Sequence, residues 1–166
     1  MKFLSDRPHL FRGVVALGLI ALAAACGSNS PGSAGTTASP AASAASGVDL
    51  EQGTAKVMGA NETVLTSPDG FTLYYLTVDT TTAPKCNGGC LTNWPPLLSN
   101  GNPTSMVPLS GTLTVTMNAN GDQVAYNGHL LYRFAEDKAK GDAKGEGLQA
   151  FGGVWQVATP KLAAAG

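Results

Sequence analysis

Three groups of residues in this 166-residue chain have the types and spacing that chemistry requires. The first is Cys86-x3-Cys90. In an oxidising compartment the default for such a pair is a disulfide. Left reduced, the pair offers thiol redox chemistry or, since two soft thiolates suit Cu(I), copper binding with His129, the one histidine outside the leader, as a third ligand. The second group is Asp79 and Asp137. Two carboxylates about 5 Å apart form the acid and nucleophile of a retaining glycosidase. An aspartate just past a strand more commonly caps a turn by accepting backbone N–H bonds, and that is the reading preferred for both. The third group is Asp137, Asp142 and Glu146, with Gly141 and Gly145 between them and Gly147 directly after, which offers oxygen ligands of the kind calcium takes. The spacing is not that of an EF-hand loop, and the interleaved Lys138, Lys140 and Lys144 compete for the carboxylates. A solvated loop that neutralises its own charge is the expectation there, with no resident metal or cofactor.

Other reaction classes find no support. There is no Gly-x-Ser-x-Gly elbow, and His129 follows a hairpin-like Asn127-Gly128. The glycines from 141 to 147 lack the Gly-Lys-Ser/Thr ending of a phosphate-cradling loop. The Cys-x3-Cys spacing and Leu91 exclude a Cys-x2-Cys redox centre and a haem-attachment site. A non-enzymatic role follows as the expectation.

The elements that position these residues are written twice. Gly70-x2-Leu73-Tyr74-x4-Asp79 recurs 58 residues later as Gly128-x2-Leu131-Tyr132-x4-Asp137, and a tryptophan follows each copy, Trp94 and Trp155. The folded part is therefore a duplicated unit. Strand-favouring runs lie at 56–58, 64–65, 71–77, 113–117, 123–126, 130–134 and 154–157. Turn signals at 67–70, 118–122 and 126–129 separate them. This pattern predicts an all-β, antiparallel domain of two related repeats with pseudo-two-fold symmetry. Helix is expected only weakly, around Cys90–Trp94, where Pro95-Pro96 stops it. Alternation in 130–134 puts Leu130, Tyr132 and Phe134 on one face and Leu131 and Arg133 on the other. Both faces carry bulk, so the strand is central, and Tyr74 and Tyr132 are expected in the core with their hydroxyls bonded. Trp94 and Trp155 are expected as core anchors related by the repeat; an exposed tryptophan would instead mark a binding groove.

At these residues the chain resembles the bacterial secreted-repeat lipoprotein family, which carries a Tyr-x-aromatic-x-x-Asp motif and whose biochemical role is generally unassigned. Tyr132, Phe134 and Asp137 match that motif, and Tyr74 and Asp79 match with Leu76 in the aromatic place. Cys86-x3-Cys90 followed by Asn93-Trp94-Pro95-Pro96-Leu97, and the glycine-rich stretch leading to Trp155, also fit. The resemblance implies a cell-envelope lipoprotein with paired repeats and does not imply a reaction.

The ends agree with an envelope location. Lys2, Arg7 and Arg12 precede an apolar run from Gly13 to Ala25, the layout of a secretory signal, and the run is shorter than the roughly 20 residues that cross a bilayer. Leu22-Ala23-Ala24-Ala25-Cys26 resembles a lipobox, which implies acylation, palmitate included, of Cys26 after cleavage. Two or more acyl chains anchor a protein stably to a membrane surface. Residues 27–47 are Gly, Ser, Ala, Thr, Pro and Asn without charge, the composition of a flexible tether. The expected organisation is thus a signal peptide at 1–25, anchor and tether at 26–47, and a repeat domain at 48–160. Within the domain, repeat 1 covers about 57–98 and repeat 2 about 113–160, and a disordered tail is expected at 161–166. Of 10 basic and 11 acidic side chains, Lys2, Arg7, Arg12 and Asp6 leave with the signal, so seven face ten. A mildly acidic chain without a basic stripe is not expected to bind nucleic acid.

Overall fold

The computed structural model describes residues 49–166, so the expected signal, the Cys26 anchor and the tether lie outside the described residues. Among the described residues the architecture is β throughout, with one 3₁₀ turn at Gly88–Thr92, where the sequence left room for a short helix.

The domain opens with the hairpin β1 (Glu51–Val57) and β2 (Ala60–Thr66), of which β2 lies in repeat 1, and repeat 2 opens with the hairpin β4 (Leu113–Asn118) and β5 (Gly121–Tyr126). Between them lies β3 (Tyr74–Leu76); after them come β6 (His129–Leu130), β7 (Gln149–Ala150) and β8 (Gly153–Val157). The eight strands form three antiparallel sheets: β1-β2, β3-β8-β7 and β4-β5-β6. Tight turns close the β1-β2, β5-β6 and β7-β8 hairpins through paired positive φ values at Met58-Gly59 (47° and 92°), Asn127-Gly128 (50° and 83°) and Phe151-Gly152 (55° and 84°). Both central residues of such a turn are left-handed, which matches the twist of the flanking strands.

The repeats complete one another. The last strand of repeat 2, β8, pairs with β3 of repeat 1, Tyr74 opposite Val157 and Leu76 opposite Trp155. Reciprocally, the end of repeat 1 runs along repeat 2: Leu97 N–H donates to Leu131 O (2.9 Å), Arg133 N–H to Pro95 O (2.8 Å) and Ala135 N–H to Asn93 O (2.8 Å). At the centre, Tyr74 and Tyr132 exchange backbone bonds of 2.8 and 2.9 Å. The pseudo-two-fold axis passes between these two residues.

This exchange explains where strand expectations and structure differ. The runs at 71–77 and 130–134 give regular pairing only at Tyr74–Leu76 and His129–Leu130, because the chain changes partner almost every residue along the seam. Leu73 N–H donates to Leu65 O, Tyr74 pairs with Tyr132, and Leu73 O accepts from Ala158 N–H. Strand β7 was not foreseen, since two residues beside a turn carry no periodicity.

Two cores result. Tyr74, Leu76, Trp94, Leu130, Tyr132 and Trp155 meet in one, with Phe134 packed against it; Leu50, Leu65, Leu73, Val124, Tyr126 and Leu131 meet in the other. The expected alternation is therefore present, Leu130, Tyr132 and Phe134 on one side and Leu131 on the other. Arg133 lies over the Phe71 ring at 4.7 Å and pairs with Asp69 at 3.0 Å, partly exposed. Residues 161–166, expected as a disordered tail, are docked instead. Ala165 N–H donates to Asn127 O (2.8 Å), Asn127 Nδ2 to Leu162 O (2.7 Å), and Leu162 packs on the second core. Asn127 supplies both partners, its backbone carbonyl to Ala165 and its side-chain amide to Leu162.

Candidate functional site

The residues singled out for chemistry gather at the axis, in two related constellations. Tyr74, on β3, donates its hydroxyl hydrogen to Asp137 Oδ2 at 2.6 Å; Tyr132, just past β6, donates to Asp79 Oδ2 at 2.7 Å. Each tyrosine thus binds the aspartate of the opposite repeat. The other oxygen of each carboxylate caps its own loop: Lys85 N–H donates to Asp79 Oδ1 (2.6 Å) and Lys144 N–H to Asp137 Oδ1 (3.0 Å). The expected turn-capping role holds for both aspartates. The tyrosine contact carries no local signal, because it joins residues 63 and 53 positions apart.

Electrostatics follow from burial. Desolvation raises the Tyr74 and Tyr132 hydroxyls far above the ordinary phenol range, and the neighbouring Asp137 and Asp79 carboxylates raise them further. Burial also raises Asp137, against the opposing effect of its bonds from Tyr74 and Lys144 N–H. A phenol held protonated is a donor and not a base, and each carboxylate is already occupied on both oxygens. The geometry gives two clamps, the one on Asp137 buried and the one on Asp79 half-buried.

Around the clamps stand the aromatics. Trp94 and Trp155 are buried and stack face to face, with ring centroids 3.7 Å apart and planes within 2°. Phe134 stacks on Trp94 at 4.3 Å, while Tyr74 and Tyr132 each present an edge to one tryptophan, at 5.5 and 5.2 Å. Trp155 Nε1 is buried without a hydrogen-bond partner among the described residues. The condition for a groove built on an exposed tryptophan is not met.

Cys86 and Cys90 are joined in a disulfide, with Cα atoms 5.3 Å apart, and both are buried. The bridge folds Asn87-Gly88-Gly89 into the 3₁₀ turn and presents Cys86 O to Asn120 Nδ2 (3.0 Å). Asn120 in turn donates to Gln123 Oε1 (3.1 Å), so a part-buried polar network links the bridge to the hairpin of repeat 2. Gln123 was not singled out in the sequence; its burial beside Asn118 and Asn120 becomes visible only once β4 and β5 are paired. His129 lies elsewhere, tilted against Tyr75 at 4.5 Å with Nε2 3.1 Å from Ala163 O, and burial lowers its pKa. No cluster of three or more His, Cys, Asp or Glu among the described residues is placed to hold a metal ion, so Cys86, Cys90 and His129 are not brought together.

The acidic loop of repeat 2 divides. Asp142 pairs with Lys144 at 2.8 Å and accepts from Lys138 N–H (2.9 Å), and these partners lower its pKa. Asp137 serves the clamp, and Glu146 Oε2 accepts from Val157 N–H at 2.6 Å. The expected self-neutralising surface holds for Asp142 and Lys144. It does not hold for Gly145, which packs so closely on Trp94 and Tyr74 that an added Cβ would come within 2.7 Å of the indole. Gly70, Gly128 and Gly141 all take positive φ near 83°. Two open depressions, one of about 480 Å³ between Gln52, Glu62 and Pro160 and one of about 320 Å³ at Gln149–Val154, hold none of the residues singled out for chemistry.

One family model, described as a secreted repeat of unknown function, matches residues 57–98 and again 114–159. The chain belongs to that family. The two matched segments of this secreted repeat are the two halves that exchange strands across the Tyr74–Tyr132 axis, each bearing one tyrosine, one aspartate and one tryptophan of the site. No curated protein and no solved structure matches the chain.

Proposed function

We propose that this secreted-repeat protein is a lipid-anchored module on the outer side of a cell membrane, serving as a binding or bracing element of the envelope without catalysis. The observation that carries this reading is the reciprocal clamp. Asp79 and Asp137, the residues best suited to hydrolytic chemistry, are each held by a tyrosine of the other repeat and a backbone N–H of their own loop. The disulfide supports the same reading, since its sulfurs are bonded to each other and a third ligand is not at hand. The anchor rests on Leu22-Ala23-Ala24-Ala25-Cys26. A 21-residue Gly/Ser/Ala-rich connection between Cys26 and the domain would span about 25 Å on average, enough to hold the domain clear of lipid headgroups.

Intact-mass analysis of the exported protein, with and without thiol alkylation and beside metal analysis, tests the proposal. The expected result is a chain beginning at Cys26 with acyl mass, a two-hydrogen deficit, no alkylation and no metal, together with release from the membrane fraction in Cys26→Ala. Free alkylatable Cys86 and Cys90 with stoichiometric copper would overturn it in favour of metal handling.

A further inference from the structure

The two repeats cover the same place in different ways. In repeat 1 the turn at Asp69-Gly70 lies under Lys140, since a Cβ added to Gly70 would come within 2.8 Å of Lys140 Cδ. Beside that turn Arg133 sits over the Phe71 ring. The equivalent turn of repeat 2 is Asn127-Gly128, and Tyr75 tilted against His129 takes the place of the Arg133–Phe71 pair. Here the cover is Ala165, whose Cβ would lie 3.1 Å from a Cβ added to Gly128. Lys140 belongs to a loop inside repeat 2, whereas the matched family segment ends at 159 and Ala165 lies beyond it. The covered face is part of the repeat; its cover is an addition to the repeat.

That cover is held by its backbone. Asn127 Nδ2 donates to Leu162 O (2.7 Å), His129 Nε2 to Ala163 O (3.1 Å), and Ala165 N–H to Asn127 O (2.8 Å). A carbonyl only accepts, so His129 carries its hydrogen on Nε2. Two side chains matter as well: Leu162 packs on the second core, and the residue lying on Gly128 has to be as small as Ala165. Lys161, Ala163 and Ala164 are exposed. Upstream, Pro160 O accepts from Tyr126 OH (2.8 Å) and Ser110 Oγ (3.0 Å), which anchors the segment at its start. Beyond that anchor few contacts have to break for the segment to open locally.

We propose that the Asn127–His129 face of repeat 2 is a docking site for a peptide segment of another polypeptide, which residues 161–165 occupy in cis. The segment it takes has an apolar residue followed three positions later by a small one, as Leu162 is followed by Ala165. Its other side chains are free to vary, because Asn127 and His129 bond carbonyls that every residue carries. The site names a partner class for the binding role proposed above and rests on that reading.

Calorimetric titration with the acetylated peptide Lys-Leu-Ala-Ala-Ala-Gly tests the site, using the full exported protein in detergent and the same protein ending at Pro160. The cis segment competes with the peptide, so binding to the shortened protein is expected to be tighter by about tenfold or more, with the His129 ring resonances shifting. Ser-Val-Thr-Ser-Ser-Gly, which shares only the pattern, is expected to bind as well, and Lys-Ser-Ala-Ala-Ala-Gly to fail. In the full-length protein, the Ala165 N–H is expected to exchange with solvent faster than the Tyr132 N–H by about tenfold or more. A shortened protein that does not fold, or that binds no better than the full chain, overturns the proposal. So does a preference for the first peptide over the second, binding of the third, or an Ala165 N–H that exchanges only with global unfolding. The mass and metal analysis of the anchor and the bridge reads none of these, so either conclusion can fail alone.

Discussion

Tyr74 and Tyr132 act through one atom each, the hydroxyl that reaches into the opposite repeat. Tyr74→Phe leaves the buried Asp137 carboxylate short of a donor, a loss of about 1–3 kcal/mol in unfolding free energy by urea titration, and Tyr132→Phe does the same to the half-buried Asp79 with a smaller loss. The pair also sets an alkaline limit. A phenol whose pKa is raised on folding contributes stability that is fully present below its unfolded value of 10.0 and is lost as pH rises beyond it. Stability should fall between about pH 10 and 12, and each Tyr→Phe variant should flatten that slope by about 1.4 kcal/mol per pH unit. An unchanged slope in both variants would contradict the clamp. The sequence made the tyrosines legible as core and the aspartates as caps, because those roles depend on neighbours along the chain. Their meeting was not legible, since it is a property of which strands exchange.

At the scale of elements, hairpins were legible where turn chemistry agreed with them, as at Asn127-Gly128. They were less so where it did not. Met58 and Phe151 occupy the first, left-handed position of tight turns that ordinarily take Asn, Asp or Gly. Met58 is 88% exposed, so its side chain contributes little packing to offset that conformation. Met58→Asn is expected to stabilise the fold by about 1 kcal/mol, read as a shift of the urea midpoint at constant slope. A loss of stability instead would mean that Met58 makes a contact the turn depends on. The short β7 was hidden for the same reason that Phe151 surprises: the hairpin is held by β8 pairing with β3, and local preference plays little part.

For the whole molecule, duplication and the all-β class were readable from the repeated Gly-x2-Leu-Tyr-x4-Asp pattern, but the interlock was not, because a repeat that folds alone would show the same pattern. In the structure neither half is complete: β8 belongs in sequence to repeat 2 and in space to repeat 1, Asn93–Leu97 the reverse, and the Trp94–Trp155 stack takes one ring from each. The most direct test of this mutual completion is to divide the domain in the loop between Leu109 and Ser110, purify residues 49–109 and 110–166 separately, and record near-ultraviolet circular dichroism of each and of their mixture. The expected result is no tertiary signal from either fragment alone and recovery of the coupled-tryptophan signal on mixing. A fragment that folds cooperatively by itself would contradict it.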